Sequence, residues 1–202
     1  MITYRELVDN YFRYFKILED KFVDTLRFVE LSSENFKTYS IEFDNLIISI
    51  GSELDVFFKV ACNFNLDDRK KMNDYYKEIM SKYPCIKQQV IKIDNKNLEI
   101  TPFKDWEESE PSKSLEWWQA YNDIKHARVL NFKEANLENT LNLLGALYIL
   151  EIYFLKEVYE DTQEKKSILD VPDKYDSELM YLKNWETKNK LLANDLAIEI
   201  SK

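Results

Sequence analysis

Asn136-Leu-Glu-Asn-Thr-Leu-Asn-Leu-Leu-Gly-Ala-Leu-Tyr-Ile-Leu-Glu-Ile-Tyr-Phe-Leu155 carries the period of a buried helix. Leu137, Leu141, Leu144, Leu147 or Tyr148, Ile152 and Leu155 recur at three- and four-residue steps, one face of a 3.6-residue turn. Asn136 is placed to cap it, because its short amide can accept a free backbone N–H of the first turn. Residues 38–63 form a second segment of this kind. Phe43, Leu46, Ile47, Ile50, Leu54, Phe57 and Ala61 make a broad stripe, as expected of a central helix. Each segment holds one of the chain's 2 glycines, Gly51 and Gly145. A glycine inside a helix costs about 1 kcal/mol relative to alanine. Close helix–helix approach would offset that cost, so these two helices are expected to cross tightly in the core.

Outward from this pair the pattern stays helical. Residues 3–31 read as a first helix through Leu7, Tyr11, Tyr14 or Phe15, Leu18, Phe22, Leu26 and Val29. Asp67 or Asp68 is placed to cap a shorter helix reaching about Ser81, and Pro84 stops it. Residues 88–101 change character: two alternating runs around Asp94-Asn95-Lys96-Asn97 predict a β-hairpin, which must pack on the helices to be stable. Residues 102–112 read as a polar loop, and Ser112 or Ser114 begins another helix reaching about Leu130. In the tail, Ser177 to Trp185 suggests a strand and residues 186–200 an amphipathic helix. The expected fold is all-α, an up-and-down bundle of about five main helices with a small β-hairpin insertion near residues 88–101. Residues 1–165 form the bundle domain, and residues 166–202 a C-terminal appendage packed on it.

Composition narrows the function. Apolar residues make up 45% of the 202, enough for a real core. With 2 glycines and 4 prolines, glycine-rich phosphate loops and all-β folds are disfavoured. The net charge of −9 argues against nonspecific binding to nucleic acid or an anionic membrane, yet leaves room for a small basic site. Cys62 and Cys85 with a single histidine do not make a zinc pattern, so no metal and no cofactor are expected. No apolar run is long enough to span a membrane and no leader pattern opens the chain; a cytoplasmic protein with reduced thiols is the expectation.

Chemistry concentrates in Trp117-Trp118-Gln119-Ala120-Tyr121-Asn122-Asp123-Ile124-Lys125-His126-Ala127-Arg128. His126 is the only histidine, and Arg128 is one of few arginines, with Arg5, Arg13, Arg27 and Arg69. On one helix, Trp118, Asn122, Lys125, His126 and Val129 share a broad face. Asn122 and His126 are four apart, the spacing of an amide–imidazole hydrogen bond. Lys125 and Arg128 flank the imidazole, disfavour its protonated form and so keep a neutral base available. Such a cluster suits a phosphate, with His126 as acid or base. The plainer reading is a satisfied structural histidine, with Trp117 and Trp118 as core anchors. Glu53 falls amid apolar neighbours and needs a partner, for which Lys125, His126 or Arg128 are candidates. Asp55 and Lys59 read as a solvated helix pair.

With Ala135-Asn136-Leu137-Glu138-Asn139 and the helix from Leu141 to Leu155, this stretch resembles the C-terminal half of HEPN-like helical proteins of prokaryotes. The segment from Tyr39-Ser40-Ile41-Glu42-Phe43 to Lys59, with Glu53 and Asp55, is similar to their first core helix, so the resemblance covers about residues 38–160. It implies a helical bundle that dimerises. For many members it also implies metal-independent ribonuclease activity in toxin–antitoxin, abortive-infection and CRISPR systems, at a composite site on the dimer interface. The family signature is an arginine followed, four to six residues on, by a histidine. His126 matches the histidine, and Asn122 the polar residue common within the motif. The arginine has no match: none lies between Arg69 and His126, and Arg128 follows the histidine.

Two functions are compatible with these residues. The first is a HEPN-like ribonuclease, or an RNase-derived RNA-binding protein, in phage defence or stress response. There His126 is general acid or base, Lys125 and Arg128 bind phosphate, and Asn122 orients the imidazole. Cleavage without a metal needs a base for the 2′-hydroxyl and a cation for the phosphorane. The second is a non-catalytic binding or regulatory module in which this helix is architectural. Expected partners are a second copy of the chain, RNA and a cognate protein.

Overall fold

The computed structural model describes residues 2–94, 96–161 and 177–183. It is an up-and-down helical bundle with a small antiparallel sheet. Helix α1 spans residues 4–25; it includes a π-helical stretch, Leu7–Phe12, and continues as α-helix Arg13–Thr25. Helices α2 (Ile41–Ala61), α3 (Met72–Lys82), α4 (Glu116–Asn131) and α5 (Leu137–Asp161) follow. Strands β1 (Ile91–Ile93), β2 (Glu99–Ile100) and β3 (Met180–Leu182) lie in the order β2-β1-β3. No helix among the described residues is long and apolar enough to cross a membrane.

The helix ends follow local chemistry. Ser40 caps α2 by accepting from the Phe43 N–H at 3.1 Å, and Asn136 caps α5 by accepting from the Asn139 N–H at 2.9 Å. Helix α1 stops at Thr25, short of the expected residue 31, and Ser32 then caps a short 3-10 turn. Helix α3 starts at Met72 rather than after Asp67 or Asp68. Asp74 reaches back to the Lys71 N–H at 2.9 Å and fixes the start there. Neither Ser112 nor Ser114 caps α4; the Ser114 hydroxyl accepts from the Glu107 N–H at 2.9 Å. Residues 102–112 form more than a polar loop, because Phe103 and Trp106 are fully buried in the core.

The hairpin extends into a three-stranded sheet. Met180–Leu182 pairs antiparallel with Ile91–Ile93, so the strand expected within 177–185 is present. Upstream of it, the Ser177 hydroxyl and the Leu179 N–H engage the buried carboxylate of Glu19 on α1, which Lys16 also contacts at 2.6 Å. The amphipathic helix expected at 186–200 lies outside the described residues.

Helices α2 and α5 pack along each other through the core, with Phe57 and Phe154 edge to face at 5.7 Å. The two glycines, however, do not serve that contact. A Cβ on Gly51 would lie 2.2 Å from the Tyr121 ring of α4, and one on Gly145 would lie 2.8 Å from the Ile91 side chain of β1. Gly51 therefore seats α4, and Gly145 seats the sheet.

Among the described residues, one core acid has no hydrogen-bond partner. Glu151, in α5, is 1% exposed, and neither carboxylate oxygen has a hydrogen-bond partner. Burial, then the neighbouring Glu53, hold its carboxyl well above the usual carboxylate range. Glu53 itself is half-buried, and burial pushes it up to about 7.

Two predictions follow from this packing. Gly51→Ala gains roughly 1 kcal/mol of helix propensity, but its methyl collides with a buried ring. A net loss of about 1–3 kcal/mol is expected in urea unfolding. An unchanged or raised midpoint would contradict the seating of α4. For Glu53 and Glu151, the folded state keeps a proton that the unfolded state releases near 4.5, so stability falls as pH rises from there through about 7 and beyond. Glu151→Gln is expected to flatten this decline between pH 5 and 8. A pH profile of the unfolding free energy parallel to that of the wild type would rule out a protonated Glu151.

Candidate functional site

Helix α4 begins as a core element and ends as a surface one. Trp117 and Trp118 are buried; the Trp117 Nε1–H donates to the Pro102 carbonyl at 2.7 Å, and Trp118 stands edge-on to Phe58. Both tryptophans are thus core anchors. Tyr121 fills the space over Gly51, and Ile124 is the last buried residue of the helix. Beyond it Lys125, His126, Arg128, Val129 and Leu130 are exposed. At Ala127 the backbone leaves helical geometry (φ −147°, ψ 56°). The Asn131 amide donates to the carbonyls of Asp123 and Ala127, at 3.1 and 3.2 Å, and satisfies groups that the break would leave open. The face expected to run from Trp118 to Val129 is therefore interrupted, and Val129 lies past the break.

The four residues singled out by sequence separate into three settings. Asn122 does not orient the imidazole: its amide donates to the Trp118 carbonyl one turn back, at 2.8 Å. His126 is exposed and makes no hydrogen bond or ion pair with the other described residues. The Lys125 ammonium donates to the Tyr121 hydroxyl at 3.1 Å and lies over its ring. Arg128 reaches the start of α2, where its Nη1 is 3.3 Å from the Oδ2 of Asp44, a side chain only 4% exposed. Arg128 thus neutralises a buried carboxylate whose other oxygen has no partner among the described residues. Glu53 meets none of Lys125, His126 or Arg128; it faces Tyr11 and Glu151 instead. The Asp55–Lys59 pair forms, at 3.7 Å.

Asn122 and Lys125 line a pocket of about 280 Å³ that closes against the α3 start. Lys70 and Lys71 enter it from the segment before α3, and Asp55 from α2. Sequence reading missed the two lysines and took Asp55 as a helix partner of Lys59. The run Arg69-Lys70-Lys71 was a visible signal, but nothing in its spacing ties it to α4. The Asp55 Oδ1 accepts from the Tyr75 hydroxyl at 3.1 Å, and burial, with the Asp55 charge, raises the Tyr75 phenol so that it stays a donor. A larger cavity lies elsewhere, about 940 Å³ between the end of α1 and the start of α2, with Phe28, Phe43 and Leu46 on its walls. It contains none of the four residues. Among the described residues, no group of three or more His, Cys, Asp or Glu side chains is arranged to hold a metal ion.

Compared with known proteins, the chain matches no family model, no curated protein and no solved structure.

Proposed function

We propose that this chain acts on RNA as a homodimer, in the manner of a HEPN-like metal-independent ribonuclease, with His126 as the acid–base group. The observation that carries the reading is His126 itself: the only imidazole of an acidic chain, exposed and unpartnered among the described residues, next to Lys125 and a pocket lined by lysines. In the reaction the 2′-oxygen bonds to phosphorus as the P–O5′ bond breaks. One imidazole accepts the 2′-hydroxyl proton, and a protonated group supplies the 5′-oxygen. With one histidine per chain, that protonated group is Lys125 of the same copy or the imidazole of a second copy.

The surface beside His126 favours the second copy. Val129 and Leu130 are 87% and 85% exposed, and Tyr39 and Ile41 at the start of α2 are exposed nearby. Phe132 packs edge-on against Tyr39 at 5.6 Å, so the end of α4 and the start of α2 form one apolar area. Large apolar side chains gathered in water in this way support a contact surface here. A two-fold axis through this area brings two Lys125–His126–Arg128 segments together. Arg128 is committed to Asp44 and holds the start of α2, while Lys125 retains free N–H groups for phosphate. The non-catalytic reading rests on Asn122, whose bond to Trp118 leaves the imidazole without an orienting partner.

Incubation with total or transfer RNA in the presence of a chelator tests the activity. The wild type is expected to cleave and leave 2′,3′-cyclic phosphate ends, and His126→Ala is expected to lose about 10²-fold or more in rate. Equal cleavage by both proteins, or none by either, removes catalysis and leaves the binding module. The assembly is tested by sedimentation. The double substitution Val129→Asp, Leu130→Asp is expected to convert a dimer to monomers with little change in melting temperature, since neither side chain is buried. A wild-type monomer, or a dimer unaffected by the substitutions, would refute this interface.

A further inference from the structure

We propose that the pocket between α4 and the start of α3 is a binding site for a phosphate monoester, the dianionic group carried by inorganic phosphate, a mononucleotide or a phosphorylated RNA end. The pocket shares Lys125 with the proposed cleavage site, but His126 is not among the residues that line it.

The charge arrangement comes first. Three lysines, Lys70, Lys71 and Lys125, line one small cavity of a chain whose net charge is −9. Like charges gathered in this way repel one another, and an anion bound among them relieves that repulsion. Lys71 and Lys125 have no carboxylate partner among the described residues, while Lys70 is only loosely held, 3.5 Å from Asp68 and 4.2 Å from the Phe64 ring centre. The one carboxylate in the cavity, Asp55, is already engaged. One oxygen accepts from the Tyr75 hydroxyl at 3.1 Å, and the other faces Lys59 at 3.7 Å. The cavity therefore keeps an excess of positive charge suited to a dianion.

Donor geometry and size narrow the ligand further. The Tyr121 hydroxyl accepts from Lys125 and so has its own proton to give, and the Asn122 amide has a second N–H beyond the one bound to Trp118. Lysine ammonium groups are compact point charges that bind phosphate oxygens without a fixed fork geometry. At about 280 Å³ the cavity is below the usual range of about 300–1,000 Å³ for drug-sized ligands. Trp118, Tyr121 and Tyr75 form its floor with their faces already buried, so no base can stack on them. Recognition falls on the phosphate group, with any nucleoside outside.

Calorimetric titration of the full chain at low ionic strength tests this, using inorganic phosphate, AMP and adenosine as probes. Phosphate and AMP are expected to bind and adenosine not to bind. Tighter binding of AMP identifies a nucleotide as the source, and equal binding identifies the bare group; both support the site. Lys71→Ala and Lys125→Ala, each on the surface and checked by thermal melting, are expected to weaken binding about tenfold apiece, and the double variant about a hundredfold. His126→Ala is expected to bind within about twofold of the wild type, so loss of cleavage and loss of this site are separable. A short single-stranded RNA with a 5′-phosphate is expected to bind about tenfold tighter than its 5′-hydroxyl counterpart. The proposal is overturned by wild-type affinity in the double variant, by adenosine binding as well as AMP, or by equal binding of the two RNAs.

Discussion

The candidate site depends on how closely α4 sits on α2. At Gly51 the Tyr121 ring occupies the volume that a side chain would take, with three ring atoms within 2.7 Å of where a Cβ would stand. That contact sets the height of α4. It lets Trp118 reach Phe58 and places the Tyr121 hydroxyl where Lys125 can donate to it. After Ile124 nothing on α4 is fully buried, and the break at Ala127 comes within one turn of that point. The helix persists while packing supports it and turns where packing ends. The only histidine stands at the junction, on the last regular turn before the break.

Buried acid is handled in two ways in this protein. Asp44 lies in the first turn of α2, where free N–H groups favour negative charge, and a guanidinium stands 3.3 Å away. Glu151 lies in mid-helix and has neither; its titratable neighbours are Glu53 and Tyr11, which cannot compensate a negative charge. It keeps its proton instead, because burying an unpaired carboxylate costs more than holding it neutral. The contrast assigns Arg128 a structural duty. Removing it would strand a carboxylate already short of partners, so its effect on activity cannot be separated from its effect on the start of α2.

The helices were legible because their apolar residues repeat with a helical period, and the α5 cap because Asn136 is a strong local signal. The hairpin, too, was readable from alternation. What could not be read was which face meets which neighbour. Gly51 and Gly145 pointed to close approach, but not to the ring of Tyr121 or the side chain of Ile91 as the approaching group. Glu53 was visibly anomalous in its stripe, yet periodicity does not tell whether it faces α4 or the α1–α5 side. The bond expected between Asn122 and His126 failed for a local reason, since the carbonyl of Trp118 lies equally one turn from Asn122 and competes for the same N–H. Lys70 and Lys71 escaped notice because their relation to α4 is made by the loop before α3, which carries no spacing rule.

The acidic balance of the chain shapes what a basic pocket on it can accept. A charge of −9 spread over the surface repels a long polyanion at a distance, while the lysines around Lys125 attract at close range. At physiological salt the screening length is about 8 Å, so the distant repulsion is largely damped and the contact across the pocket is damped much less. A surface of this kind suits an anion presented at a point, such as a phosphorylated end or a flexible single strand, over a rigid duplex that must lie along many carboxylates. The same balance limits self-association. Two copies joined through Val129 and Leu130 bring their net negative charges together, so the apolar contact has to outweigh that repulsion, and the basic residues beside His126 reduce it where the two surfaces meet.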